Sequence, residues 1–192
     1  MAKKIIITGG LGYIGTELCK IYSGVSWHHK VIVIDNRFIS ERVNQIRNWN
    51  MDFIHGDILD KDMIYKNFRD ADIVHHLAGV TDVPRTKNEA SDERDKKIKL
   101  IGEKGTQNIL EAINEKCKII FPSTHVIYEG INEVKKDIGE EEVAMPVLSY
   151  SSSKATNEKQ LRDSGKNYII LRLGSVYGYS NDTARIDIMP NL

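Results

Sequence analysis

The segment Thr8-Gly9-Gly10-Leu11-Gly12-Tyr13-Ile14-Gly15 places four glycines within seven residues, directly after an apolar run and directly before a helical pattern. A turn this tight needs residues that can adopt positive φ, and a phosphate approaches the backbone only where no Cβ stands in the way. The helix that follows presents unpaired N–H groups and the positive end of its dipole to an anion. The segment therefore predicts a strand, a phosphate-binding turn and a helix.

Short runs rich in isoleucine and valine recur along the chain and alternate with stretches of helical spacing. The runs at 5–7, 31–34 and 169–171 are continuously apolar, which is typical of strands buried on both faces of a parallel sheet. The repeated order of strand, helix and strand predicts a doubly wound parallel sheet with helices on both faces, a Rossmann fold of the α/β class. We expect strands at 4–8, 30–35, 51–55, 72–77, 118–121 and 168–173, and helices at 13–22, about 90–115 and 150–163.

The composition narrows the classes of function. The chain has 192 residues, with 27 Lys plus Arg against 27 Asp plus Glu, so no overall positive field attracts nucleic acid or an anionic membrane. Cys19 and Cys117 lie far apart without a CxxC spacing, which argues against disulfides or a zinc site. No apolar run approaches the roughly 18 residues of a membrane span. We expect a soluble cytoplasmic protein with no metal site, no nucleic-acid partner and no membrane partner.

An acidic residue stands where the second predicted strand ends. Asp35 lies 20 residues after Gly15, the spacing of a carboxylate that binds the adenosine ribose of a dinucleotide. A carboxylate accepts a hydrogen bond from the ribose 2′-hydroxyl but repels a 2′-phosphate, so the sequence favours NAD over NADP. Arg37, two residues later, keeps NADP open as an alternative.

A tyrosine and a lysine four residues apart begin the helix predicted after the fifth strand. Tyr150 and Lys154 share one face of that helix, at the carboxyl edge of the sheet, where open α/β folds bind ligands. The lysine ammonium and a positively charged nicotinamide ring would lower the pKa of the Tyr150 phenol, which could then act as general base and acid on an alcohol or ketone. Thr124, at the end of the fifth strand, is placed to hydrogen-bond the same oxygen.

Taken together, these motifs resemble the extended short-chain dehydrogenase/reductase family, and more narrowly its NAD-dependent sugar-nucleotide epimerase/dehydratase branch. The resemblance runs in order along nearly the whole chain. It is carried by Thr8 to Gly15, Asp35-Asn36, Gly56-Asp57-Ile58, His76 to Gly79, Gly105 to Asn108, Ser123-Thr124, Tyr150 with Lys154, and Leu171 to Gly178.

The resemblance implies NAD as the cofactor, a nucleotide sugar as the substrate and a homodimer as the assembly. Thr124, Tyr150 and Lys154 would form the catalytic set. The helices near 90–115 and 150–163 would form the dimer interface, with Ile98, Ile101 and Ile109 as an apolar stripe. The implied contacts to NAD are Gly9, Gly12, Tyr13, Ile14, Gly15, Asp35, Asn36, Asp57, Ile58, Leu77, Ala78, Gly79, Tyr150 and Lys154, with 174–176 near the nicotinamide.

The chain departs from the family's pattern at several positions. Gly102 stands where the family usually has an asparagine that supports the catalytic lysine. His125 and Val126 replace the Asp-Glu pair with which dehydratases protonate and deprotonate the sugar. Glu129 stands as an insertion between Tyr128 and Gly130.

The length also differs from the family's. Family members continue into a small C-terminal domain that holds the nucleotide sugar. We therefore expect a dinucleotide-binding domain with the catalytic residues at 1–178, and only the start of a truncated second domain at 179–192.

The sequence favours an NAD-dependent sugar-nucleotide epimerase, which oxidises a sugar hydroxyl transiently and returns the hydride to the other face. A sugar-nucleotide reductase or dehydrogenase of the same family is the alternative among enzymes. A non-catalytic dinucleotide-binding sensor or scaffold is the alternative outside them. The presence of Thr124, Tyr150 and Lys154 argues against the sensor, because a retired site has no chemical need for all three.

Overall fold

Six parallel strands form one sheet in the order β3-β2-β1-β4-β5-β6. The computed structural model describes residues 1–80 and 91–178. The strands are β1 (Lys4–Thr8), β2 (Lys30–Asp35), β3 (Asp52–His55), β4 (Ile73–His76), β5 (Lys118–Thr124) and β6 (Asn167–Leu173). The helices are α1 (Tyr13–Ser23), α2 (Ser40–Asn48), α3 (Lys61–Phe68), α4 (Asp92–Lys99), α5 (Gly105–Ala112) and α6 (Ser149–Asp163), and a 3-10 turn (His125–Tyr128) follows β5.

The strand order confirms the predicted doubly wound Rossmann fold. β2 and β3 lie on one side of β1, and β4, β5 and β6 lie on the other. The parallel register pairs Thr8 with both Ile34 and His76, so the carboxyl ends of β1, β2 and β4 meet at one edge. The crevice at such a reversal of strand order is where open α/β sheets bind ligands.

Two apolar cores cover the two faces of the sheet. Successive side chains of a strand point to opposite faces, so Ile6 packs in one core while Ile5 and Ile7 pack in the other. The first core includes Ile64 and Phe68 of α3 together with residues of α5 and α6. The second contains residues of α1 and α2. The continuously apolar runs at 5–7 and 31–34 are fully buried, as predicted.

The prediction of burial on both faces is wrong for β6. Ile169 and Leu171 are exposed, because β6 lies at the edge of the described sheet and pairs there only with β5. Residues 179–192, where we expect a second domain to start, lie outside the described residues.

The long helix predicted near 90–115 is divided into three parts. α4 and α5 are separated by a π-helical turn at Leu100–Lys104. Ile98 and Ile109 are buried, and Ile101 packs against the first core. The apolar stripe predicted for the dimer is therefore wrong, since Ile109 packs against the chain's own sheet and Ile98 lines a cavity with Tyr150 and Ser153 of α6.

Within residues 1–80 and 91–178, no helix combines the length and apolar character that crossing a membrane requires. The longest, α6, spans 15 residues and carries several charged side chains.

Candidate active site

The glycine turn between β1 and α1 is packed tightly against the rest of the fold. Gly9 has a φ of 67°, and a Cβ there would lie 2.8 Å from the backbone nitrogen of Ala78. A Cβ at Gly15 would overlap the carbonyl of Gly9. These two glycines are therefore required by close backbone packing, which is the role expected of glycines in a dinucleotide-binding turn.

Gly12 is the N-cap residue of α1. A Cβ at Gly12 would lie 3.1 Å from the Gly9 carbonyl oxygen and 3.7 Å from the Arg37 guanidinium. The N-cap supplies no side-chain hydrogen bond, and the first turn of α1 contains no acidic residue. A helix start with unpaired N–H groups and a positive dipole end suits a phosphate group. The turn thus fits the pyrophosphate of a dinucleotide.

Asp35 lies beside this turn at the end of β2. Its carboxylate is buried and accepts hydrogen bonds from Leu11 N–H at 3.0 Å, from Arg37 N–H at 2.9 Å and from Arg37 Nε at 3.3 Å. Asn36 donates its side-chain amide to Asp57 at 3.2 Å. Asn36 thus joins the segments that follow β2 and β3, next to Asp35.

The segment after β4 forms the opposite wall. Leu77 N–H donates to Thr8 O at 3.2 Å, and Ala78 N–H donates to Thr8 Oγ1 at 3.1 Å. A Cβ at Gly79 would meet no atom within 4 Å. The structure therefore brings 77–79 next to the glycine turn.

Three residues predicted to contact NAD, Ile58, Tyr13 and Ile14, lie in environments that differ from one another. Ile58 is buried in the first core beneath α5. Tyr13 donates its hydroxyl to Gly178 O at 2.6 Å, which links α1 to the segment after β6. Ile14 is partly exposed on α1.

Tyr150 and Lys154 occupy the first two turns of α6. The Lys154 ammonium lies 5.9 Å from the centre of the Tyr150 ring and 4.4 Å above the Phe121 ring, and it donates to Pro122 O at 2.8 Å. Burial lowers the pKa of Lys154 to about 8, while the charge of Glu158 opposes that shift. The fraction of Lys154 that is protonated near neutral pH therefore depends on the balance between its burial and the charge of Glu158.

A small open cavity brings these groups together. Tyr150 and Lys154 line it together with Ala78 and Gly79 from the cofactor wall. Thr124, which ends β5 and accepts a hydrogen bond from Val126 N–H at 3.3 Å, lies outside the lining. Tyr150 and Lys154 thus meet the predicted cofactor residues Ala78 and Gly79 at the carboxyl edge of the sheet.

Gly102 faces α6 across the same cavity. A Cβ at this position would lie 2.5 Å from Ser153 Oγ. Its carbonyl accepts a hydrogen bond from Asn157 Nδ2 at 3.1 Å. Polar side chains of α6 therefore fill the space that an asparagine at position 102 would need.

A buried hydrogen-bond chain around His76 is the part of the site that sequence reasoning missed. His76 Nδ1 lies 3.0 Å from Thr8 Oγ1, and Nε2 lies 3.0 Å from Thr106 Oγ1. The Thr106 hydroxyl donates to Gly102 O at 2.7 Å, so it accepts from Nε2–H, and Nδ1 accepts from Thr8. Burial and the charge of Lys154 lower the pKa of His76 to about 3. Thr8 and His76 are neighbours in the register of β1 with β4. A prediction of that register is the one signal that could have revealed this hydrogen-bond chain.

A second buried network surrounds Glu158, one turn beyond Lys154. Its carboxylate accepts from Ser123 Oγ at 2.6 Å, from Arg172 at 2.8 and 3.0 Å and from Arg162 at 2.7 Å. Burial raises the pKa of Glu158, but hydrogen bonds from Arg172 and Ser123 outweigh burial and hold the pKa below its usual range. Arg172 also donates to the Tyr128 hydroxyl. The network ties α6 to the ends of β5 and β6.

The cysteines carry no sign of reactivity. Burial, with the charges of Asp35 and Asp72 respectively, raises the pKa of Cys19 and of Cys117 to about 12. Thiols with so high a pKa are poor nucleophiles and metal ligands. In the described part of the chain, no three His, Cys, Asp or Glu side chains are grouped so that they could hold a metal ion.

The profile of the NAD dependent epimerase/dehydratase family matches residues 5–190. The chain belongs to this family. Its members use NAD, in agreement with the cofactor predicted from the glycine turn and Asp35, and they are enzymes.

Relatives of this chain in sequence have different activities. A dTDP-D-glucose 4,6-dehydratase of Dictyostelium discoideum is 29% identical over 92% of this chain and 44% of that protein. A UDP-glucose 4-epimerase of Neisseria meningitidis serogroup C is 27% identical over 98% of this chain and 57% of that protein. The chain spans about half the length of the curated relatives it matches.

Solved structures share the fold. UDP-glucuronic acid 4-epimerase from Bacillus cereus, solved in complex with NAD, superposes with a TM-score of 0.75 at 27% identity, over 93% of this chain and 58% of that one.

Neutral His76 makes stability depend on pH. Its pKa is about 3 in the fold and about 6.5 when unfolded, so the unfolded chain binds more protons between these values. The stability linked to His76 is complete above pH 6.5 and falls toward pH 3, by up to about 1.4 kcal/mol per pH unit. Urea unfolding at several pH values measures this slope. His76→Gln should flatten it, whereas replacement of the exposed His28 by Gln should not; equal slopes in all three proteins would contradict the prediction.

Proposed function

We propose that this chain binds NAD at the carboxyl edge of its sheet and carries the catalytic residues of a sugar-nucleotide epimerase. The observation that carries the proposal is the cavity in which Tyr150 and Lys154 meet Ala78 and Gly79. A site that only bound a dinucleotide would not need a tyrosine and a buried lysine one helical turn apart.

The proposed NAD site follows the three walls of the crevice. The start of α1, after Gly12, would hold the pyrophosphate, and Asp35 would accept from the adenosine ribose. The 77–79 segment would line the opposite side. The Asp35 carboxylate favours NAD over NADP by charge, although Arg37 beside it offsets part of that charge.

Tyr150 would act as the general base and general acid. NAD, when bound, would supply the hydride acceptor for the carbon that bears the sugar hydroxyl and the hydride donor for the carbonyl carbon so formed. The Tyr150 phenolate would take the proton from the sugar hydroxyl and give it back to the carbonyl oxygen on reduction. Thr124 would hydrogen-bond the same oxygen, and the Lys154 cation would stabilise the phenolate.

The residues after Thr124 favour epimerisation over dehydration. Dehydration of the sugar needs a proton donor and a proton acceptor beside the reacting carbons, whereas epimerisation needs only the oxidising set. Here His125 and Val126 follow Thr124, and Nδ1 of His125 lies 3.2 Å from Leu173 O. No carboxylate pair stands at these positions.

We also propose the domain division and the assembly. Residues 1–178 would form the NAD-binding domain, and 179–192 would begin the domain that holds the sugar nucleotide. A homodimer would use α4, α5 and α6, with the exposed Leu100 replacing the buried isoleucines as an apolar contact. Sedimentation at micromolar concentration should give twice the monomer mass, and a monomer mass would contradict the assembly.

The glycine turn provides a direct test of NAD binding. Gly12→Val places a branched side chain where the pyrophosphate would lie, so affinity for NAD should fall by about tenfold or more. Gly24→Val, at the other end of α1, is the matched control and should bind NAD as the wild type does. Isothermal calorimetry measures both. Unchanged affinity in folded Gly12→Val would show that NAD binds elsewhere.

Removal of one hydroxyl tests the catalytic role. Tyr150→Phe should keep the fold and NAD binding but reduce hydride exchange with sugar nucleotides by about 10²-fold or more, the usual effect of losing a general acid/base. The exposed Tyr65→Phe is the control. Exchange is followed at 340 nm with a panel of UDP- and dTDP-sugars in single-turnover mode, since we expect slow turnover without a full sugar-binding domain. Full activity in Tyr150→Phe would disprove the mechanism.

A further inference from the structure

The helix that carries Tyr150 has only a partial cap of its own, in which Ser151 Oγ accepts from Leu148 N–H at 3.2 Å and donates to Leu148 O at 2.8 Å. Its N-cap residue is Leu148, which has no polar side-chain atom, and its first turn contains no acidic residue. The first N–H groups of a helix need acceptors from side chains, water or other parts of the chain. Tyr150 is the second residue of α6. The contacts that fix the start of this helix therefore also fix the position of the Tyr150 backbone.

Glu129, from a distant part of the chain, supplies an acceptor for the two backbone N–H groups that directly precede α6. Its Oε1 accepts from Val147 N–H at 2.8 Å and from Leu148 N–H at 2.7 Å, and it contacts the Ser151 hydroxyl. Burial raises the pKa of Glu129, but the hydrogen bonds from Ser151, Leu148 and Val147 outweigh burial and lower it. A negative charge at the positive end of a helix is favourable in addition.

Glu129 itself is anchored to the end of β5. It directly follows the 3-10 turn that starts after Thr124. Two backbone hydrogen bonds close the loop beyond it, from Gly130 N–H to Met145 O at 2.8 Å and from Met145 N–H to Ile127 O at 2.8 Å. The carboxylate therefore joins the Thr124 side of the site to the Tyr150 side, although 18 positions separate Glu129 from Val147.

We propose that Glu129 is a positioning residue that sets Tyr150 relative to Thr124. The inference rests on the proposed function, which gives those two residues their catalytic roles. Glu129 acts through the backbone of Val147 and Leu148 and through Ser151. In this reading the acid between Tyr128 and Gly130, unusual for the family, serves to fix the start of the catalytic helix.

Three variants separate positioning from general stability. Glu129→Ala removes the acceptor, Glu129→Gln keeps an amide oxygen in its place, and Glu133→Ala removes an exposed acid from the same loop as the control. Hydrogen exchange, followed by mass spectrometry, reports on the amides of 147–153. Affinities for NAD and for ADP are measured in parallel, because ADP would engage the glycine turn but not the nicotinamide side of the site near Tyr150.

Glu129→Ala should speed exchange in 147–153 by about five- to tenfold, as expected for a lost helix cap. It should also weaken NAD binding several-fold while ADP binding stays unchanged. Glu129→Gln should recover most of both effects, and Glu133→Ala should match the wild type.

Two results would overturn the inference: unchanged exchange in Glu129→Ala, or an equal loss of NAD and ADP binding, which would indicate a general structural role. A wild-type chain that binds neither nucleotide would instead disprove the proposed function. In that case the exchange of 147–153 still decides whether Glu129 holds α6.

Discussion

The glycine turn and the segment after β4 pack so closely that no side chain fits between them. A Cβ at Gly9 would lie 2.8 Å from the backbone of Ala78. Thr8, the preceding residue, accepts hydrogen bonds from the backbone N–H groups of Leu77 and Ala78. Because the turn is held there, the start of α1 opens into the crevice where the strand order reverses. The position of the cofactor wall relative to the turn therefore follows from backbone packing, before any ligand is bound.

The same contact continues into the catalytic side through buried polar groups. Thr8 binds His76, His76 binds Thr106, and Thr106 binds the carbonyl of Gly102, to which Asn157 of α6 also donates. A buried polar group that lacks a partner costs about 1–3 kcal/mol, so a change at one member leaves its neighbour unsatisfied. The chain of hydrogen bonds makes the turn and α6 parts of one structural unit.

The sequence predicts most strands to within a few residues, because a continuously apolar run and a glycine turn are local signals. It errs where the outcome depends on strand order or on a partner surface. An apolar run does not show that β6 lies at the edge, and the helical spacing of Ile98 and Ile109 does not show whether they are buried within their own chain or face a second copy. Thr8 lies 68 positions from His76, and Ser123 lies 35 positions from Glu158. These pairings depend on the assembled register.

Glu158 illustrates how one buried acid serves structure and chemistry together. It anchors α6 to Ser123 and Arg172, and its charge opposes the burial that lowers the pKa of Lys154. Removal of this acid would leave Arg172 without its buried partner, which is costly, and would also shift Lys154 toward its neutral form. A neutral Lys154 would no longer stabilise a phenolate at Tyr150. An acid that lies one turn beyond the lysine and outside the cavity lining thus contributes to the charge on which the proposed proton transfer depends.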